Sequence, residues 1–410
     1  MMTRAIAITL ALGALLGAEL QAQEKLNATI PQPDYRAGWT FTPTIGVTEI
    51  YDDNVSLFGR SRPEEQNQDY VTTVFPAVDL HYSGKHTFLD MGYSGSFLNY
   101  RTFSELDRWD QSARFELRRQ ESARMKWFAR ASAAVLPTTD LVELGGIPYR
   151  HNGTRTADGR VGFDYAFSAR DSLTSSANYQ VVDFDKPDSF DTPDPFGLVL
   201  HGGQVAEWMN AYRHQFSSRM AVGADYSFRR ALVSGDPEPF NIHTTEAALD
   251  YELSPSWTFS GGAGIVFLQE NASASASTGP AYRGSLNHRR GLSRFHIGYM
   301  RSYIPSFGYG GTIQNQEAGL GYHTPIFGSR RFYVDLSAVF RDDHPLTNTR
   351  EQLPLRSLRA YSSVGWSPQP WVRLEAFYTR VQQSSLQAGG QVDRNQVGFQ
   401  IVTSKPMRMQ

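Results

Sequence analysis

The chain of 410 residues contains no cysteine, which excludes disulfide scaffolds, thiolate metal sites and cysteine nucleophiles. It also lacks an excess of either charge, because 39 Lys and Arg residues stand against 41 Asp and Glu residues. A net charge of −2 gives no overall attraction to nucleic acid or to an anionic membrane surface. The mean hydropathy of −0.42 excludes a polytopic helical membrane protein.

The motifs that usually mark catalysis or cofactor binding are missing as well. The sequence has no glycine-rich phosphate loop, no HExxH and no GxSxG. Its ten histidines are scattered without metal-ligand spacing. We therefore predict no enzyme, no cofactor and no metal site.

The first residues are typical of a secretion signal. Arg4 precedes an apolar run over residues 5–18, and residues 20–22 offer a small-residue cleavage site. That run is shorter than the ~20 residues that a helix needs to span a bilayer, which disfavours the alternative of a membrane anchor. We predict a signal peptide over 1–22, a flexible periplasmic segment over 23–38, a transmembrane domain over 39–404 and a tail over 405–410.

The dominant pattern in the sequence is the alternation of apolar and polar side chains. Through most of its length, apolar and polar side chains alternate with a period of two in segments of about 10 to 14 residues. In residues 157–168, for example, Val161 and Phe163 alternate with Arg160 and Asp164. Such segments are typical of strands that have one apolar and one polar face.

The connections between these segments alternate between short and long. Residues 83–86, 121–123 and 169–171 form short ones, whereas 137–154 and 185–202 form long ones. In lipid, only helices and closed sheets satisfy every backbone hydrogen bond, and short turns opposite long loops are typical of outer-membrane barrels. We therefore predict an all-β fold, a closed antiparallel transmembrane up-and-down β-barrel of about 18 strands, with 16 as the alternative.

Aromatic side chains gather near the short turns. At headgroup depth, amphipathic rings form a girdle around an outer-membrane barrel. This placement predicts the cell outer membrane as the location and its lipid as a partner. The aromatic residues concerned are Tyr82, Trp127, Phe167, Phe216, Trp257, Phe295, Phe332 and Trp366.

If the apolar parity faces lipid, the charged parity faces the inside of the barrel. Unpaired charges in a dry core would each cost several kcal/mol, so we expect an aqueous lumen with cross-strand ion pairs. Barrels of about 16 to 18 strands are wide enough for one. Because the two signs nearly match, we expect small polar solutes, sugars among them. The predicted pore-lining residues are Arg114, Glu116, Arg118, Arg130, Asp158, Arg160, Asp164, Asp225, Arg229, Glu246, Asp250, Asp335 and Arg341.

The stretch FTPTIGVTEIYDDNV at residues 41–55 resembles the opening strand of the beta-barrel porin 2 family, and YDDNV is its most specific part. The family comprises predicted outer-membrane barrels often associated with exopolysaccharide production. The resemblance implies an outer-membrane location and a part in polysaccharide export, but it carries over no functional residues. From the residues themselves, Asp52, Asp53 and Asn54 are expected to cap the turn after the first strand, with cation binding as the alternative.

Four kinds of protein remain open at this point, of which an enzyme is the least favoured. The first is a passive or polysaccharide-linked channel, and the second is a structural or surface-interaction barrel with a blocked lumen. The third is a soluble repeat protein such as a propeller, because hairpins recur roughly every 33 to 45 residues. The acidic, proline-rich loop 185–202 could form a constriction or bind a divalent cation, although a solvated surface loop is the simpler interpretation. The sequence leaves the oligomeric state open.

Overall fold

The chain folds almost entirely into long strands. The computed structural model describes residues 37–55, 57, 67–137, 153–185, 200–234, 238–269, 277–308, 310–329, 331–346, 354–385 and 391–409. The strands are β1 Gly38–Asp52, β2 Asp69–Ser83, β3 Thr87–Tyr100, β4 Arg108–Gln120, β5 Met125–Pro137, β6 Gly153–Ala166, β7 Asp171–Phe184, β8 Gly203–Ser217, β9 Met220–Val233, β10 Phe240–Ser254, β11 Trp257–Gln269, β12 Ser277–Arg290, β13 Ser293–Pro305, β14 Thr312–Pro325, β15 Phe332–Pro345, β16 Leu355–Gln369, β17 Val372–Ser385, β18 Gln391–Ser404 and β19 Met407–Met409. A 3-10 turn, Ser104–Leu106, lies between β3 and β4. Within these ranges, no helix is long and apolar enough to cross a bilayer.

The strands form one closed sheet. Each of β1 to β17 pairs antiparallel with the next strand, and β1 also pairs with β18, with Thr44 opposite Ser404 and Asp52 opposite Gln396. The predicted closed, antiparallel, up-and-down barrel of 18 strands is confirmed, and both the 16-strand alternative and the propeller are wrong. The predicted signal peptide and nearly all of the periplasmic segment lie outside the described residues.

The residues predicted as a C-terminal tail continue the last strand. Met407 and Met409 pair with Phe41 and Trp39 in the register that joins β18 to β1. The ladder is interrupted at Pro406, since proline has no N–H to donate. The wall at the seam therefore extends further on the short-turn side than β18 alone.

Exposure alternates along each strand and separates the two faces of the wall. In β10, Ala247, Leu249 and Tyr251 are exposed, whereas Ala248 and Asp250 are buried. Through the middle of the wall the exposed parity is the apolar one and the charged side chains point inward, whereas at the long-loop end the outward parity also carries charges, Arg155 and Arg356 among them. This inside-out distribution is the one that the alternation in the sequence predicts.

A packed apolar core lies inside the barrel at the long-loop end. We call it the mouth cluster; its members are Leu136, Val182, Val205, Ala231, Val233, Phe240, Ile242, Val266, Leu268, Ala281, Tyr303 and Phe307. None of these residues is more than 7% exposed, whereas Ile265, the outward neighbour of Val266, is 60% exposed. The mouth cluster therefore fills part of the lumen rather than facing lipid.

Two connections bridge across this sector of the mouth. His201 precedes β8 and Gly308 follows β13, and each donates its backbone N–H to the carbonyl of the other, at 3.0 and 2.9 Å. Since β9 to β12 lie between these strands, the bridge passes over the inner wall that carries Ile242 and Val266. Phe307, beside the bridge, is 4% exposed within the mouth cluster.

Candidate functional site

The outer wall is a belt of exposed apolar and aromatic side chains. Val161 at the middle of β6 is 57% exposed, and Trp39 lies against Tyr82 with ring centroids 4.9 Å apart near the short turns. The strands are longer than the ~10 residues that a tilted strand needs to cross a bilayer. A closed sheet with this exterior satisfies its backbone internally and buries its apolar face only in lipid. The protein is an outer-membrane β-barrel.

Inside this wall, charged residues of β2 to β4 form the first of several ion-pair networks. Arg114 donates from Nη2 to Asp79 at 2.6 Å and from Nε to Asp90 at 3.2 Å. Its side chain is 41% exposed although it points into the barrel. Solvent therefore reaches this level of the lumen.

The neighbouring network is centred on Glu116. Arg118 and Arg130 both donate from Nε to Glu116 Oε1, at 2.5 and 3.0 Å. Arg160 lies on the next strand and donates to Ser176 Oγ from Nε at 3.2 Å and from Nη2 at 3.0 Å. Here the guanidinium groups outnumber the carboxylate that they contact.

A third network, on β8 to β12, is acidic and more deeply buried. Arg213 bonds Asp225 and Asp250, with Nε 3.1 Å from Asp250 Oδ2. Arg283 bonds Asp225 and reaches Glu246 Oε2 at 2.6 Å. Three carboxylates thus share two guanidiniums, which leaves the network one negative charge in excess.

The other predicted pore-lining residues each contact a neighbouring strand. Arg229 bonds Glu207, Asp335 bonds His323, Arg341 bonds Glu317, Asp164 accepts from Thr174 and Asp158 bonds Asn178. All thirteen candidates lie at the inward parity of their strands. Parity alone does not establish that they line a solute path, which stays a prediction.

Sequence reasoning missed several inward groups. Tyr333 and Tyr361 both donate their hydroxyl hydrogens to Glu375, Tyr333 at 2.9 Å, and Arg373 lies 3.6 Å from the same carboxylate. Neither tyrosine was singled out from the sequence, but the parity of Tyr333, between outward-facing Phe332 and Val334, already places its side chain inside. Arg213 and Arg283 were missed because their segments alternate less regularly.

The YDDN motif closes the barrel. Asp52 Oδ2 accepts hydrogen bonds from Arg394 Nε at 2.8 Å and from Gln396 Nε2 at 2.9 Å. Asp52 Oδ1 accepts the Asn54 N–H at 3.0 Å, and Asp53 accepts both the backbone and side-chain N–H of Asn395. The predicted turn-capping role is confirmed for Asp52, whereas the side chains of Asp53 and Asn54 bond β18 and, with Asp52, join the first strand to the last.

The geometry offers little for catalysis or metal binding. Ser168, Asp171 and His214 meet near a short turn, but Ser168 donates to Asp171 Oδ2, and His214 Nδ1 lies 2.8 Å from Asp171 Oδ1. The serine thus contacts the carboxylate and not a histidine that could take up its proton. Among the residues that the structure describes, no group of three His, Asp or Glu could hold a metal ion. Most of loop 185–202 lies outside them.

No family model matches the chain, and no curated protein matches its sequence. Among solved structures it is similar to OccAB4 of Acinetobacter baumannii, at 9% identity and a TM-score of 0.46, over 92% of this chain and 100% of that one. It is also similar to OccK2 (OpdF) of Pseudomonas aeruginosa, at 11% identity and a TM-score of 0.47, over 89% and 98%. Likenesses this distant carry no argument about function, so the function has to be inferred from the geometry of the barrel.

Proposed function

We propose that the protein is an outer-membrane channel for small polar solutes. The observation that carries this proposal is the exposure of charged side chains inside a closed wall. Arg114, Arg118 and Arg130 point into the barrel, yet their side chains are 41, 40 and 36% exposed. Groups this polar remain charged where water surrounds them, so the middle of the lumen is aqueous. The predicted pore-lining residues would be the wall of that path.

The path is narrowed at the long-loop end. The mouth cluster occupies the side formed mainly by β7 to β12, and on β14 to β18 the inward polar groups at this end, Asn315, Asp343 and Arg394, are only 1, 5 and 8% exposed. The polar side is therefore the chemically favourable route for a solute through the mouth, but a narrow one. Ions and small sugars fit this picture better than bulky chains.

A second function, a structural barrel with a blocked lumen, is favoured by one specific observation. Ile242, Val266 and Leu268 are at most 1% exposed although they face the lumen. If the rest of the mouth were filled to the same degree, no solute would cross. Conductance separates the two functions.

We expect discrete conductance steps when the purified full chain is inserted into a planar bilayer. Gly321 has an inward position on β14 with open space where a Cβ would be added, and Gly284 has an outward position on β12 with equally open space. Gly321→Trp should therefore lower the conductance of each step, and the control Gly284→Trp should leave it unchanged. A barrel that inserts but stays silent would establish the blocked-lumen function instead.

Polysaccharide export stays a prediction of the resemblance at residues 41–55. Seam closure already accounts for Asp52, Asp53 and Asn54, so these residues do not add support for export. Liposome swelling with sugars of increasing length tests the point. Uptake that stops at small oligosaccharides would contradict export through this lumen.

A further inference from the structure

The charges of the lumen balance overall but not locally. On β4 and β5, Glu116 is bonded by two guanidiniums, those of Arg118 and Arg130. Arg160 on β6 stands directly opposite Arg130 in the ladder. Like charges directly opposite one another destabilise a sheet unless something compensates them. Arg130 and Arg160 therefore stand side by side as like charges that face the lumen.

The neighbouring acids do not pair directly with Arg160, although Glu207, Asp158 and Asp164 are close enough to attract it. Within the described part of the chain, no carboxylate oxygen lies within 4.0 Å of its guanidinium, whose bonds go to the Ser176 hydroxyl. On its own strand, Asp158 bonds Asn178 and Asp164 accepts from Thr174. Arg160 thus holds a neutral partner in place of a charged one.

An aromatic ring holds two of these arginines at one level of the wall. Phe128 lies 6.0 Å from Arg130 Cζ and 5.9 Å from Arg160 Cζ, measured to the ring centroid. The ring packs over Gly162, where an added Cβ would lie 2.6 Å from Phe128 Cζ. Because the ring lies against the wall over a glycine, both guanidiniums stay beside it.

We propose that Arg118, Arg130 and Arg160, which we call the arginine cluster, bind the oxyanionic group of a solute in the lumen. The proposal rests on the channel function and names its solute class: small molecules that carry a carboxylate, phosphate or sulfate. A planar guanidinium matches such groups with two parallel hydrogen bonds, and an incoming anion would relieve the repulsion between Arg130 and Arg160. The cluster would make the pore prefer anions even though its total charge is nearly balanced.

Binding can be measured without any conduction. The detergent-solubilised full chain is heated in sodium sulfate and in sodium chloride at equal ionic strength, because a ligand of the folded state raises the unfolding midpoint. We expect a higher midpoint in sulfate, and an apparent sulfate affinity about tenfold weaker in Arg160→Gln. Acetate and phosphate in parallel distinguish the carboxylate and phosphate members of the class. The control is Arg359→Gln, an inward arginine of β16 in another sector, which should behave like the unmodified chain.

Each outcome decides between the two proposals. Equal midpoint rises in all three proteins would show an unspecific salt effect and overturn the arginine cluster as a site. In bilayers, a potassium chloride gradient should give a reversal potential that indicates anion preference, and Arg160→Gln should reduce it. A silent barrel with an Arg160-dependent midpoint rise would overturn the channel but keep the site. A conducting barrel whose midpoint and reversal potential do not depend on Arg160 would overturn the site alone.

Discussion

Replacing Asp52 by Asn should destabilise the barrel by about 3–5 kcal/mol, because the change removes the charge of a fully buried carboxylate to which Arg394 donates two hydrogen bonds. Asp52 is 0% and Arg394 9% exposed, and the pair joins the first and last strands of the wall. Asn keeps the size of the side chain and an acceptor for the Asn54 N–H, so the variant removes chiefly the charge. Urea unfolding, followed by tryptophan fluorescence and by heat-modifiable migration in detergent gels, measures the loss.

Glu49→Gln is the matched control on the same strand. Glu49 pairs with Arg101, but both side chains are largely exposed, and exposed ion pairs contribute about 0–1 kcal/mol. The charge change is the same, but Glu49 faces outward, where it also accepts a hydrogen bond from Thr72 Oγ1, and it is far less buried than Asp52. If Asp52→Asn proved no more harmful than Glu49→Gln, the seam pair would not be what holds the barrel closed.

Replacing Val161 by Arg should cost about 2–4 kcal/mol, the expected penalty for a cation on the lipid face near the middle of the bilayer. Val161 lies near the centre of β6 and faces outward, while its neighbours Arg160 and Gly162 face the lumen. Val161→Arg thus places an arginine directly after Arg160 in the sequence, on the opposite face of the same strand. Folding into lipid vesicles against urea measures the difference.

Gln180→Arg on the adjacent strand provides the inward counterpart. Gln180 stands opposite Asp158 in the ladder, so a guanidinium there gains an acidic neighbour in an aqueous lumen. We expect its stability to change by less than about 1 kcal/mol. Equal losses for both variants would mean that the two faces of the wall meet similar surroundings, contrary to a lipid-embedded barrel.

Much of the candidate site can be predicted from parity alone. Each charged residue predicted to face inward, from Arg114 on β4 to Arg341 on β15, lies at the parity opposite the exposed apolar side chains. The same rule locates Tyr333, which lies between outward-facing Phe332 and Val334. A period of two is a local property of extended backbone, so it needs no knowledge of the partner strand.

Which residues pair across neighbouring strands cannot be predicted from the alternation of polarity. The Asp52–Arg394 bond joins residues at opposite ends of the chain, and the arginine cluster arises because the register sets Arg130 against Arg160. The total charge of the sequence is nearly balanced, which conceals both the adjacent arginines Arg130 and Arg160 and the acidic network around Asp225. The register depends on the number of residues in each loop, and the alternation of polarity along the strands does not reveal that number.

By itself, the sequence determined that each strand has an apolar and a polar face, that short turns lie opposite long loops, and that the sheet must close. These features come from side-chain type at fixed spacing along an extended chain. Only the tertiary structure decided that the inner mouth is packed with apolar residues, that Met407 to Met409 extend the seam, and which inward charges neutralise one another. Those features depend on contacts between segments distant in sequence, which become neighbours only after the register of the closed sheet is fixed.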